Sequence, residues 1–305
     1  MKKLLITGGC GFVGRELVHI AQDQYEIHVV DNLLSGEHRL HKMNAKKFKL
    51  HNIDLRDKDK TESLIVTVCP DIIIHLAAIH FIPKCENEPD LACTTNILAT
   101  INILRCLRKE TKFIFTSSAA VYSPSDKELV EDSGLIFPLD VYGYTKLHGE
   151  HYVSLYSNQY QLDTCIGRLF NVIGPGETNP HILPEIFSQL KKGGKELSLG
   201  NIESKRDFID VRDVATGFLK LCAKNFDELP ESKIINLGSG KTYSMRELLD
   251  FVREISGIEF EIKKDLSKFR KVDNPVILAS ISKLEEFLRW KPSFHIKDTL
   301  KITWD

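Results

Sequence analysis

"KLLITGGCGFVGRELVHIAQDQ", residues 3–24, joins a short apolar run to a helical pattern through a turn that carries Gly8, Gly11 and Gly14. KLLIT reads as a strand, and GRELVHIAQDQ carries apolar residues at helical spacing. Each glycine has a task at such a junction. One permits the tight turn, one lets backbone N–H groups approach a pyrophosphate, and one allows the helix to pack closely on the strand. The opening of the helix adds partial positive charge where phosphates would lie. Strand, glycine turn and helix together predict a dinucleotide site.

The same alternation continues outward. IHVVD (27–31), FKLHNID (48–54), DIIIHLAA (71–78), KFIFTSS (112–118) and DTCIGRLF (163–170) are brief, rich in Ile, Val and Phe, and set off by polar or glycine punctuation. Helical patterns lie between them, including DLACTTNILATINILRCLRK and the stretch from Tyr142 to about Gln159. Near-continuous apolar strands alternating with helices predict an α/β fold with a doubly wound parallel sheet covered on both faces. After residue 170 the texture changes to the Gly- and Pro-rich loop NVIGPGETNPHILPE and shorter mixed elements. One of these, SMRELLDFVREISG, opens with Ser244 and Glu247 in capping-box spacing and closes on Gly257. The expected division is a dinucleotide lobe over 1–170 and a smaller α/β lobe over 171–305, with some later segments crossing back to the sheet.

Bulk composition limits the partners. The chain has 305 residues, 42% hydrophobic and 27% charged, with a formal net charge of −1 and no Lys/Arg block. Nucleic acid and anionic membrane surfaces are therefore not its expected main partners. Its seven cysteines (10, 69, 85, 93, 106, 165, 222) form no C-x-x-C pair and read as reduced thiols packed as small hydrophobes. The apolar run after Lys2 and Lys3 is too short for a signal peptide, and no stretch approaches a membrane span. A soluble, cytoplasmic protein is the expectation.

The second strand ends at Asp31, where a carboxylate accepts hydrogen bonds from an adenosine ribose and repels a 2′-phosphate. No arginine stands immediately beside it in sequence, although Arg39 is within reach. NAD is thus expected over NADP. Asp54, after the third strand, suits an adenine contact and equally a helix N-cap.

Tyr142 and Lys146 are four apart and share one helix face, whereas Tyr144 points away from it. A tyrosine titrates near pH 10, and bringing it to about 7 needs roughly 4 kcal/mol of differential stabilisation. An ammonium and an oxidised nicotinamide together could supply that; one exposed lysine could not. Ser118 ends a sheet strand at the edge where open α/β sheets bind ligands, and its hydroxyl can bond both a substrate oxygen and the tyrosine. Ser118, Tyr142 and Lys146 are the expected catalytic residues. His148 and His151 lie on the same helix without other ligands nearby in sequence, so no metal is expected.

TGGCGFVG, HLAA (75–78), SSAAVY, YGYTK and RDFIDVRDVA together resemble the extended short-chain dehydrogenase/reductases that act on nucleotide sugars, and the resemblance runs through essentially the whole chain. It implies a Rossmann lobe holding NAD, a smaller lobe holding a nucleoside diphosphate sugar, and a homodimer built on the Tyr142 helix. It extends the cofactor set to Gly8, Gly11, Phe12, Val13, Gly14, Asp31, Asn32, Asp54, Leu55, Leu76, Ala77, Ala78, Asn96, Tyr142 and Lys146. For substrate it implies His80, Ser118, Asn171, His181, Arg206, Arg270 and Asp273, with the arginines gripping the diphosphate through paired donors. Members that remove water across C5–C6 carry acidic side chains just after the triad hydroxyl. Here those slots are Ala119 and Ala120, which argues against a 4,6-dehydratase. The cysteine of the fucose-synthase type is also absent. SSAAVY and Asp31-Asn32 resemble UDP-sugar 4-epimerases, while GNIESKRDFIDVRDVA and NLGSGKTYSMRELL resemble GDP-4-keto-6-deoxymannose reductases. The 4-epimerase is favoured because its cycle regenerates NAD, and the reductase is the alternative. A noncatalytic NAD(H)-sensing protein would have lost Tyr142 or Lys146, and both are present.

Overall fold

The computed structural model describes residues 1–34, 40, 47–177, 181–266 and 274–305. Six strands from the first part of the chain, β1 (Lys3–Thr7), β2 (Glu26–Asp31), β3 (Phe48–Asn52), β4 (Ile72–His75), β5 (Lys112–Ser118) and β6 (Thr164–Leu169), lie in one parallel sheet. A seventh, β10 (Ile234–Leu237), comes from far downstream and pairs in parallel with β6. The order is β10-β6-β5-β4-β1-β2-β3, so the chain reverses direction across the sheet between β1 and β4. Ligands in such sheets bind outside the carboxyl ends of the strands at that reversal.

Alternation within each strand feeds two cores. Leu4, Ile6, Val29, Ile72, Ile74 and Ile114 face α1 (Phe12–Ala21), α8 (Val211–Ala223) and α10 (Ser282–Leu288). Leu5, Val30, Ile73, Phe113 and Phe115 face the other way, onto α2 (Lys58–Val68), α5 (Ala99–Leu104) and α6 (Val141–Tyr160). A period of two with both faces apolar is what a doubly covered sheet requires. The pattern over 90–109 is broken into α4 (Pro89–Cys93), a π-turn at Thr94–Leu98 and α5, following the short α3 (Ile82–Asn87).

The second lobe has its own core around Leu183, Ile186, Leu190, Leu197, Leu248 and Leu249. It gathers α7 (Ile182–Lys191), α9 (Met245–Ser256) and α11 (Ile296–Trp304) about small sheets. In one, β9 (Lys205–Asp210) pairs with β7 (Asn171–Ile173), β11 (Thr242–Ser244) and β13 (Val276–Ile277); in another, β8 (Glu196–Leu199) pairs with β12 (Glu261–Lys264). The capping box closes on α9: Ser244 accepts from the Glu247 N–H and Glu247 accepts from the Ser244 N–H, while Gly257 ends the helix at φ 65°. Among the described residues no helix is long and apolar enough to cross a membrane.

His75 is buried at the end of β4, bonded through Nδ1 to Thr7 Oγ1 at 2.7 Å and through Nε2 to Thr100 Oγ1 at 3.0 Å. Burial, helped by the charge of Lys146, lowers its pKa to about 3. Between about pH 6.5 and 3 the unfolded chain binds a proton there that the folded chain refuses, so stability falls as pH falls through that window. Melting temperature should therefore drop more steeply between pH 7 and 5 in the wild type than in His75→Asn; equal slopes would remove His75 from the acid response.

Candidate active site

Gly8 adopts φ +67°, and a Cβ on it would stand 2.8 Å from the backbone of Ala77 just past β4. A Cβ on Gly14 would lie 2.3 Å from the Gly8 carbonyl oxygen. The two glycines thus let the turn pass between β1 and β4 and let α1 start against it. Gly11 caps α1 with no side-chain hydrogen bond and no acid in the first turn, which leaves the helix opening suited to an anion. Phe12 packs inward while Val13 stays partly exposed.

Asp31 meets this turn from β2. Its Oδ2 accepts from the Cys10 N–H at 3.0 Å and its Oδ1 from the Leu33 N–H at 2.9 Å. Among the described residues no arginine pairs with it; Arg39 lies outside them. Asp54 is committed to Arg56, which donates to it through Nε and Nη2. That arginine bonding holds its carboxyl below the usual range against the opposing effect of burial. Leu55 is buried, and its carbonyl accepts from Thr61 and Asn102. Leu76, Ala77 and Ala78 remain half-buried at the sheet edge, with the Ala77 N–H held by Thr7 Oγ1 at 3.2 Å. Asn96 is only 1% exposed. Its amide brackets Ile79, accepting from the N–H and donating to the carbonyl, and also donates to Thr145 Oγ1. It shapes the loop after β4 from behind rather than presenting its own polar atoms to a ligand. A turn with glycine at its three close-approach positions, a helix opening without an acid and a carboxylate at the end of β2 fit NAD. Gly8, Gly11, Gly14, Asp31, Leu76, Ala77 and Ala78 would line it.

The helix carrying Tyr142 and Lys146 is drawn onto β5. A Cβ on Gly149 would sit 2.3 Å from the Phe115 ring, and one on Gly143 would sit 2.5 Å from the Ala120 carbonyl oxygen. Asp140 caps the helix, accepting from the Gly143 N–H at 2.8 Å. This close approach brings the Tyr142 hydroxyl beside Ser118, near enough for the serine hydroxyl to favour the phenolate, and Ser118 Oγ accepts from the Ala120 N–H at 3.2 Å. Lys146 is 3% exposed, donates to the Thr116 carbonyl at 2.7 Å, and lies 6.0 Å from the centre of the Tyr142 ring. Tyr144 is exposed on the opposite side.

Within the chain itself burial decides the electrostatics of the phenol, and the lowering expected from lysine and nicotinamide together needs both cations. Burial raises the Tyr142 pKa, the Ser118 hydroxyl only partly opposing it, and burial lowers that of Lys146 to about 8. Desolvation is the dominant effect, and the nearby Cys85 and Asp140 add to it. Without a second cation the pair rests as neutral phenol and, at neutral pH, largely protonated lysine.

Beneath them Glu150, one further turn along the same face, accepts from Ser117 Oγ at 2.5 Å and takes a bidentate pair from Arg168 at 2.8 and 2.7 Å. The Arg168 guanidinium lies 4.7 Å from the centre of the Tyr122 ring, and Tyr122 donates to Asn236 Oδ1 at 2.8 Å. One buried polar chain thus ties α6, β5, β6 and β10 together. The spacing 142, 146, 150 carried a signal for Glu150 that was not taken up.

Asn171 begins β7 as an exposed residue. His80 follows the Ala78 loop, and His181 stands at the start of α7 with its ring centre 5.7 Å from that of His80. Arg206 donates to the carbonyls of Lys205 and Asn274, next to β13. Arg270 and Asp273 lie outside the described residues. Arg15 of α1 reaches across to the Pro175 carbonyl and so ties the loop after β7 to the cofactor turn.

A dinucleotide cradle beside a Ser–Tyr–Lys constellation on a parallel sheet defines an extended short-chain dehydrogenase/reductase. The chain belongs to the NAD dependent epimerase/dehydratase family, whose profile matches residues 4–238. It is 32% identical to a Methanocaldococcus jannaschii protein named provisionally as a UDP-glucose 4-epimerase, over 99% of this chain and 97% of that one. It is 27% identical to the GDP-6-deoxy-D-mannose reductase of Pseudomonas aeruginosa, covering 98% and 95%. The solved structure of Thermus thermophilus UDP-glucose 4-epimerase in complex with NAD superimposes with a TM-score of 0.87 at 27% identity, covering 99% of this chain and 97% of that chain.

Proposed function

We propose that the protein is a nucleotide-sugar 4-epimerase that inverts C4 of an NDP-hexose, a UDP-hexose or its N-acetyl form being favoured. The observation that carries this reading is the Tyr142–Lys146 pair on α6, set beside Ser118 at the carboxyl edge of β5. Bound NAD supplies the hydride acceptor and donor at the sugar carbon. Tyr142 takes the C4 hydroxyl proton, and Ser118 holds the same oxygen by a hydrogen bond. Once the 4-keto sugar has turned over in the cleft, so that the hydride would return to the opposite face of C4, Tyr142 gives the proton back to the C4 oxygen. Ala119 and Ala120 follow Ser118 with no ionisable group, which supports simple oxidation and reduction without loss of water. Asn171, His181, Arg206, Arg270 and Asp273 are the proposed substrate contacts.

The test is proton NMR of the purified protein with UDP-, GDP-, CDP- and dTDP-hexoses. The expected result is interconversion at C4 with no added cofactor, and NAD released on denaturation. Consumption of a 4-keto-6-deoxy sugar only with added reduced cofactor would replace this reading with the reductase, to which the Pseudomonas relative gives support.

The proposed state is a homodimer built on α6. Tyr144, His148, His151 and Leu155 recur at helical spacing along its exposed side, with Tyr144 42% and Leu155 53% exposed. Light scattering should give twice the mass of 34.7 kDa for the wild type and a single-chain mass for Leu155→Glu. A wild-type monomer ends the proposal.

A further inference from the structure

From the geometry of the cleft we infer that His80, Glu177 and His181 form a binding site for a divalent cation of the zinc type, bridging the loop after β4 and the loop after β7. One ligand atom from each residue lies within 4.8 Å of the others. Around a tetrahedral ion with bonds of about 2.0–2.2 Å, ligand pairs stand about 3.3–3.5 Å apart, so small side-chain rotations complete the set. Two imidazoles and one carboxylate match the donors of open zinc sites, which keep a fourth position for water or another oxygen. Calcium and magnesium prefer all-oxygen shells and suit this set poorly.

The surroundings orient the ligands. The Ala78 backbone lies against the His80 ring, a position from which a carbonyl can orient an imidazole ligand. Phe81 packs edge-on against His181 at 5.8 Å between ring centres. The Glu177 carboxylate supplies the negative charge that a cation needs near the Lys146 ammonium, whose field reaches His80. An ion held here would fasten the two loops across the cleft mouth.

Zinc titration by calorimetry, after chelator treatment of the full-length protein, tests the site without substrate or turnover. One ion per chain is expected, and His80→Ala, Glu177→Gln and His181→Ala should each weaken binding by at least about tenfold. The double variant His148→Ala/His151→Ala, on the exposed side of α6, should bind as the wild type does. Cobalt loading of the unsubstituted protein requires no cleft variant to fold; it should give visible bands of a low-coordinate nitrogen–oxygen site. No saturable binding, undiminished affinity in the three cleft variants, loss in the His148/His151 variant, or a thiolate charge-transfer band would each overturn the assignment.

Discussion

Tyr142→Phe is expected to lower kcat for the proposed C4 inversion by about 10²–10⁴-fold while purified protein still carries its dinucleotide. The ring that packs against the cleft is kept, and only the oxygen that exchanges the proton is lost. The wild type should also show a rate that rises with pH toward an apparent ionisation, because burial holds Tyr142 as the phenol and the base form is the active one. Removing Lys146 as Lys146→Met withdraws the nearby positive charge and should move that limb to higher pH. A Tyr142→Phe enzyme turning over near the wild-type rate would eliminate the proton-transfer role.

Glu150→Gln should be the most damaging single stability change, at about 3–5 kcal/mol, because it strands the Arg168 guanidinium in a dry interior. The two side chains are 5% and 3% exposed, so solvent cannot replace the lost partner. Replacing both together, as Glu150→Leu with Arg168→Met, removes the uncompensated charge and should cost far less than the single change. Urea unfolding of the three proteins measures this ordering. A double variant no more stable than Glu150→Gln would show that the network matters for reasons other than charge pairing.

The parts of the molecule that were legible in sequence are those whose physics is local. The β1–turn–α1 junction declares itself because three glycines, an apolar run and a helical period sit within twenty-two residues. Tyr142 and Lys146 could be paired because one helical turn separates them. Ser118 could be added because a strand end is a defined place in a parallel sheet. Other features depend on how distant segments meet. His80 and Glu177 are nearly a hundred residues apart, so no spacing rule connects them, and the expectation of no metal rested on neighbours in sequence alone. The depth at which Tyr142 and Lys146 sit is not visible in the chain, so the effect of burial on the phenol could not be weighed there against the two cations. Asn96 was expected to touch the cofactor, yet its amide is spent on Ile79 and Thr145, a commitment made only once α6 lies against the π-turn.

The placement of β10 beside β6 has a consequence for how the chain is made. The outermost position of the main sheet, and α8 and α10 that shield one of its faces, come from residues 211–288. A nascent chain that has emerged only as far as residue 170 holds six strands with one face covered only in part, by α1, and an unpaired edge at β6. Such a species is prone to self-association until the ribosome has delivered the remainder. Residues 1–170 expressed alone are therefore expected to be less soluble than the whole chain, which a comparison of soluble yields would check.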